Sequence, residues 1–167
     1  MPLLSKALLS SLLVAASVCA AAQTVQPPTL VGKTMQQARV DLAQLKGKVV
    51  LLFFWSTDCP VCLDKLPELR RNLDGWRGKD FVIVAVSQDR TMADLKHYEQ
   101  VLDKVVPPNE QMKIVWRRDA AHRDSFGELS AKTPTTIVID RQGKVAKTVS
   151  GRMPAELWDD IAELVLN

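Results

Sequence analysis

The chain has 167 residues, about one domain, with a formal charge of +3 and 25% charged residues. No acidic or basic tail of the kind that marks a nucleic-acid arm is present, and an apolar content of 47% excludes bulk disorder. Three cysteines, Cys19, Cys59 and Cys62, are too few for a disulfide-stapled miniature scaffold.

Residues 1–22 read as a secretory signal peptide. Lys6 supplies the positive head, residues 7–18 an uncharged Leu/Ala/Ser/Val run, and Ala20-Ala21-Ala22 a small-x-small cleavage site before Gln23. The uncharged run falls short of the ~20 residues of a spanning helix, which speaks against a membrane anchor. A lipoprotein anchor at Cys19 is the weaker alternative. Val18 and Ala16 stand where a lipobox has a small residue and a leucine. Export places the mature chain outside the cytosol, where disulfides persist.

Residues 23–34 contain Pro27-Pro28 and read as an extended leader; residues 34–46 are ambiguous between a short helix and a hairpin. Val49–Trp55 is uninterrupted apolar sequence, a strand buried on both faces. Cys62, Leu66, Leu69, Leu73 and Trp76 then recur at helical spacing; Pro67 interrupts that helix, and Gly75 and Gly78 end it. Residues 81–86 form a second buried strand. Thr91 caps a helix with Met92, Leu95, Tyr98, Leu102 and Val105 on one face, and Pro107-Pro108 stop it. A short strand at Lys113–Trp116 and a short helix at 120–129 follow. Thr135–Ile139 is a strand, 140–143 a turn and 145–149 its antiparallel partner. Pro154 opens a last helix with Leu157, Trp158, Ile161, Leu164 and Val165 facing inward. This order predicts an α/β domain, a central mixed sheet with helices on both faces.

The chemistry concentrates where the first buried strand runs into Ser56-Thr57-Asp58-Cys59-Pro60-Val61-Cys62. Pro60 suits a first helical turn and places Cys59 at or near the cap. The free N–H groups of that turn and the helix dipole favour a thiolate on Cys59. Cys62 tops the apolar stripe, sheltered yet one turn from Cys59. An exposed, activated sulfur attacks a disulfide, and a sheltered one resolves the mixed disulfide. As a structural disulfide, so short a loop gains little entropy. As half a zinc site, the pair lacks partners: His97 and His122 are too far apart for finger-like spacing. Two idle thiols would tend to oxidise in a secreted chain.

The segment Phe54-Trp55-Ser56-Thr57-Asp58-Cys59-Pro60-Val61-Cys62, with Pro67 five residues beyond, resembles the active site of thioredoxin-like proteins. Thr133-Pro134-Thr135-Thr136-Ile137-Val138-Ile139-Asp140 with Gly143-Lys144 is similar to a segment of the bacterial envelope group typified by TlpA and ResA. The likeness covers roughly Gly47 to the C-terminus. It implies a thioredoxin fold over residues 47–167, a central mixed β-sheet flanked by helices, with an N-terminal extension at 23–46 and an inserted αβ element. It also implies a periplasmic thiol:disulfide oxidoreductase that reduces protein disulfides through Cys59 and Cys62, with no cofactor beyond that redox-active disulfide and no metal. Trp55, Pro60, Val61, Thr133 and Pro134 would bind the client, with Thr133-Pro134 cis beside the cysteines; apart from the resemblance, the charges of Asp58 and Lys65 would modulate the cysteines. Implied partners are client proteins with disulfides and a membrane electron donor such as a DsbD- or CcdA-like thiol transporter. Nucleic acid is not a partner, and the chain is expected to be a monomer.

Two positions depart from the family pattern. Phe53 stands where thioredoxin has a buried aspartate, and Lys65 where cytochrome-maturation members commonly have glutamate. Asp64 does not replace that glutamate, being rotated about 100° around the helix. Lys65 reads either as a cation near the thiolate or as a snorkelling surface lysine. Asp58 reads as a solvated or capping carboxylate, His97 and His122 as surface helix residues, and Arg117-Arg118 as a solvated charge pair. Other functions remain open: a disulfide oxidase or isomerase on the same fold, a peroxiredoxin-type peroxidase, a copper metallochaperone, or a non-catalytic binding module. The peroxidase pattern places a threonine three residues before its cysteine, whereas Thr57 is two before Cys59.

Overall fold

The computed structural model describes residues 26–167, so the expected signal peptide and Cys19 lie outside the described residues. Leu30–Lys33 (β1) and Arg39–Asp41 (β2) pair as an antiparallel hairpin in the register Gly32↔Val40. Asp41 then caps a 3-10 helix, Leu42–Leu45, its carboxylate accepting from the Ala43 N–H at 3.0 Å. The ambiguous stretch 34–46 is thus the second half of a hairpin followed by a helical turn. The end of the expected leader is a strand.

The main sheet follows: Val49–Trp55 (β3), then helix Pro60–Gly75 (α1), Phe81–Ser87 (β4), helix Met92–Val105 (α2) and Lys113–Trp116 (β5). After the two-residue strand Arg123–Asp124 (β6) come Thr135–Ile139 (β7), Val145–Ser150 (β8) and helix Leu157–Leu166 (α3). The strand order is β5-β4-β3-β7-β8, with β3, β4 and β5 parallel and β7 and β8 antiparallel additions. β3 lies in the middle and every residue of it is buried, which accounts for its unbroken apolar sequence. α1 continues through Pro67 as one helix. Pro154 precedes α3, in the turn closed by the Leu157 N–H on the Pro154 carbonyl.

Alternate residues of β3 feed two cores. Val49, Leu51, Phe53 and Trp55 pack with Cys62, Leu66 and Leu69 of α1, Leu95 and Leu102 of α2, and Leu157, Ile161 and Val165 of α3. Val50, Leu52 and Phe54 pack with Leu30, Val40, Leu42 and Phe126. All three α-helices therefore share one face. The opposite face, where the order of elements suggested a helix, is covered by the small sheet β2-β1-β6 and 3-10 turns.

The helix expected at 120–129 does not form. The Asp119 carboxylate takes the Ala121 N–H at 2.7 Å, and that of Asp124 takes the Phe126 N–H at 2.9 Å. Such local side-chain bonds compete with a helical ladder. Gly127 then adopts a positive φ of 37° and opens a short 3-10 helix, Gly127–Ser130. Arg123 and Asp124 are left free to pair with β1. His122, expected on a helix surface, is buried instead; its Nε2 lies 2.9 Å from Asp124 Oδ2. Arg117 is likewise no free surface charge: its guanidinium binds both Asp124 oxygens, at 2.8 and 2.9 Å, and lies over the Phe54 ring. His97 is exposed on α2, as expected.

Candidate active site

β3 ends at Trp55, and the next three residues turn the chain into α1. Cys59 is the N-cap of α1, in extended backbone (φ −105°, ψ 100°), with Pro60 in the first turn. The Cys59 carbonyl accepts the N–H groups of Cys62 and Leu63 at 3.0 and 3.1 Å. Cys59 Sγ itself accepts the Cys62 N–H at 3.2 Å. A backbone donor and the positive end of the helix dipole thus both face this sulfur, and both favour the thiolate over the thiol. Cys59 and Cys62 are joined by a disulfide, S–S 2.08 Å. Cys59 is half-buried, whereas Cys62 is 0% exposed and belongs to the core.

The turn before the cysteines is held by a residue the sequence did not single out. Asp89, just beyond β4 and buried, accepts from both the N–H and the hydroxyl of Thr57, at 2.8 and 2.7 Å. The Ser87 hydroxyl donates to its other oxygen at 2.7 Å, and Trp116 Nε1 donates to its carbonyl at 2.8 Å. No local pattern marks Asp89; only the parallel pairing Trp55↔Ser87 brings it beside Thr57. Asp58 is exposed and accepts from the Ser56 hydroxyl at 2.5 Å.

Antiparallel pairing of Phe54 with Thr135 brings Thr133 and Pro134 to the same end of β3. The Thr133–Pro134 bond is cis, as the resemblance implies. Pro134 is buried, and its carbonyl takes the Gly151 N–H at 2.8 Å; Thr133 is half-buried. Pro60 is exposed and Val61 half-buried, so Pro60, Val61 and Thr133 offer surface beside Cys59. Trp55 does not, which corrects its expected part in client binding. It is 0% exposed and packs edge-on against Tyr98 with ring centroids 4.8 Å apart. A strand residue under the cap points into the helix-covered core, so Trp55 supports the site from beneath. Its Nε1 and the Thr136 hydroxyl are buried there without protein partners.

Lys65 is not a free surface lysine. Its side chain is only 11% exposed, and its ammonium lies 2.8 Å from Glu68 Oε2, one turn further from the cysteines. Glu68 Oε1 accepts from Trp158 Nε1 of α3 at 2.7 Å. Burial pushes the Glu68 carboxyl up, but hydrogen bonds from Lys65 and Trp158 and the Lys65 charge outweigh it and hold the group below its usual value. The Lys65–Glu68 spacing is a visible helix pair; the Trp158 contact is not.

The described residues contain no group of three or more His, Cys, Asp or Glu side chains placed to hold a metal ion. No described helix is long and apolar enough to cross a membrane. A depression of about 900 Å³ lies between Pro28, Phe126 and Val145, lined by neither cysteine.

Residues 23–148 match the family model described as the AhpC/TSA family. The chain is 28% identical over 133 residues to the thiol-disulfide oxidoreductase ResA of Bacillus cereus, covering 78% of this chain and 71% of the relative. It is 27% identical over 138 residues to ResA of Bacillus subtilis, covering 83% and 73%. Among solved structures, a putative thioredoxin from Neisseria meningitidis superposes with a TM-score of 0.67 at 23% identity, covering 83% of this chain and 88% of that one. The exposed lipoprotein thioredoxin of Streptococcus pneumoniae gives 0.64 at 25% identity, covering 81% and 99%. These likenesses agree with the mixed sheet: the chain belongs to the AhpC/TSA family, with a thioredoxin-like fold.

Proposed function

We propose that this protein is a thiol:disulfide oxidoreductase of the cell envelope that reduces disulfides in client proteins. The observation that carries the reading is the inequality of the two sulfurs, Cys59 half-exposed at a helix cap and Cys62 wholly buried one turn on. In the reduced protein the Cys59 thiolate attacks a client disulfide. A Cys59–client S–S bond forms, the client bond breaks, and the leaving client sulfur takes up a proton. Cys62 loses its proton and attacks the Cys59 sulfur. The Cys59–Cys62 disulfide forms, the second client thiol leaves, and two electrons have passed to the client. A membrane dithiol donor of the DsbD or CcdA kind then reduces the pair again, and the protein works as a monomer. Pro60, Val61 and Thr133 line the client's approach, and Pro134 backs it.

Thr57 speaks against a peroxidase. It stands two residues before Cys59 rather than the three of the peroxidase pattern, and its hydroxyl is donated to Asp89 at 2.7 Å. The Pro60-Val61 dipeptide places no cation between the cysteines to hold a thiolate, which favours reduction over the oxidase alternative. The deciding experiment joins trapping to a potential. Cys62→Ser should accumulate mixed disulfides with clients, and Cys59→Ser none. A potential near the thioredoxin end of the scale, ~−270 mV, supports a reductase, and one near ~−120 mV an oxidase. Peroxide consumption without mixed disulfides would overturn the reading.

A further inference from the structure

Six large apolar side chains of the described residues stay exposed, and two of them, Leu63 and Val101, line one depression. Leu63 follows Cys62 on α1 and is 37% exposed; Val101 precedes Leu102 on α2 and is 49% exposed. Neither closes the core, yet both line one depression of about 370 Å³ between the two helices, with Thr57, Asp94, His97 and Tyr98. The edge contact with Trp55 fixes the Tyr98 ring in that wall. A second depression, about 230 Å³, shares Thr57 and Asp94 and extends to Asp58 and Asp89, with Arg90 its only cation. Together they make a groove that is apolar at one end and acidic at the other. It passes close to the reactive cap, since Thr57 lies two residues before Cys59 and Leu63 donates its N–H to the Cys59 carbonyl.

We infer that this groove between α1 and α2 binds the client chain next to the attacked disulfide, and that it selects an apolar residue with a lysine or arginine close by. The selection rests on the exchange reaction proposed above, because the groove matters only for a client held at Cys59. Converging exposed apolar side chains from two helices mark a contact surface rather than a random scatter. The charge is local: the whole chain carries +3, whereas Asp58 and Asp94 are exposed carboxylates at this rim. Among the described residues Asp58 is engaged only by Ser56 and Asp94 only by its own helix turn, through Thr91, so both keep oxygens for an incoming cation. Opposite charge at such a rim selects partners and speeds encounter, and salt weakens it.

The test uses the full dithiol protein and three peptides with one internal disulfide. A cysteine of each is flanked by Leu-Lys, Leu-Glu or Ser-Lys. The Leu-Lys peptide should show a kcat/KM about fivefold above each of the other two, in the range that an exposed ion pair supplies against Leu-Glu and partial burial of an apolar side chain supplies against Ser-Lys. Asp94→Lys should invert the Lys-over-Glu preference, Asp94→Asn should reduce it, and raised salt should shrink it in the wild type. Val101→Asp should abolish the Leu-over-Ser preference. Equal kcat/KM for the three peptides, or preferences that survive Asp94→Lys and Val101→Asp, would overturn the groove while leaving the exchange reaction standing. If the wild type reduces none of the three, the exchange reaction fails and the groove with it.

Discussion

Asp89 holds Thr57 at two points: one carboxylate oxygen takes the Thr57 N–H at 2.8 Å and the Thr57 hydroxyl at 2.7 Å. Thr57 is two residues before Cys59, so the end of β4 sets the turn that presents the cap cysteine. Asp89→Ala would leave the Thr57 N–H and the Ser87 hydroxyl without an acceptor in a buried site. The expected cost is ~2–3 kcal/mol, as for unpaired buried polar groups elsewhere. Asp89→Asn keeps an acceptor for Thr57 and should cost clearly less. Urea unfolding of both variants, beside their rates of disulfide reduction, checks this. Equal stability of the Ala and Asn variants would mean that the carboxylate does not anchor the turn.

The second prediction separates the two reduced sulfurs. Cys59 is at the surface with a backbone donor and a helix N-terminus facing it, and Cys62 is closed off by the core. Thiolate character and access both favour Cys59. Alkylation of the reduced protein at pH 7 should modify Cys59 at least ~10-fold faster, as followed by mass spectrometry of the peptides. Comparable rates would remove the assignment of nucleophile and resolving thiol.

What could be read beforehand, and what could not, follows the range of the interactions. β3 and the cap at Cys59 were legible because a buried strand needs an unbroken apolar run and a first helical turn tolerates Pro60. The Cys62–Leu66–Leu69 stripe was legible as helical periodicity. The stretch 120–129 misled because its apolar and polar residues fit a helix, while Asp119 and Asp124 commit their side chains to nearby N–H groups. Asp89 and Glu68 were missed because their partners come from afar: Thr57 is 32 residues away and Trp158 is 90. The motif alone gives Trp55 a part in client binding, whereas strand alternation puts it in the helix-covered core.

The pairing of Lys65 with Glu68 changes what substitution of Lys65 should do. An ammonium already neutralised, one turn away from the cysteines, has little charge left for a thiolate. Lys65→Met should shift the potential of the Cys59–Cys62 couple by less than ~10 mV, under about half a kcal/mol on the two-electron scale. A glutathione titration of both proteins reads this directly. A fall of ~20–40 mV in the variant would mean that Lys65 stabilises the thiolate despite Glu68.

Asp124 ties β6 to β5 through Arg117 and accepts from His122 and from the Phe126 N–H. Burial pushes its carboxyl up, but the hydrogen bonds from His122, Arg117 and Phe126 and the Arg117 charge outweigh it, holding the group well below the usual range. The unfolded chain binds this proton more tightly. The contribution to stability is therefore complete above an ordinary carboxylate value of ~3.9 and is lost as pH falls below it. Asp124→Asn should cost ~3–5 kcal/mol at pH 7, because it strands Arg117 in a partly buried pair. The gap to wild type should narrow at pH 3. Urea midpoints at the two pH values measure it, and a gap independent of pH would show that the carboxylate charge is not what holds β6.

Glu99 has the opposite sign. It lies four residues after Leu95 and three before Leu102, on the inward side of α2, and no cation pairs with it among the described residues. Burial, with the Asp103 carboxylate one turn on, pushes its carboxyl up to about 7. In the unfolded chain the value is ~4.3, so here the folded state binds the proton more tightly. Stability is complete below about pH 4 and falls as pH rises through 7, where folding forces a charge into an apolar setting. Glu99→Gln removes the charge and keeps the shape. It should match wild type at pH 4 and exceed it at pH 8 by ~1 kcal/mol, a value reduced for the solvent that reaches this half-buried site. For a domain of this size that is a Tm gain of ~2–4 °C. Thermal melts at the two pH values decide it. A gain present at both would point to packing or helix propensity as the cause, and no gain at pH 8 would mean that Glu99 reaches solvent.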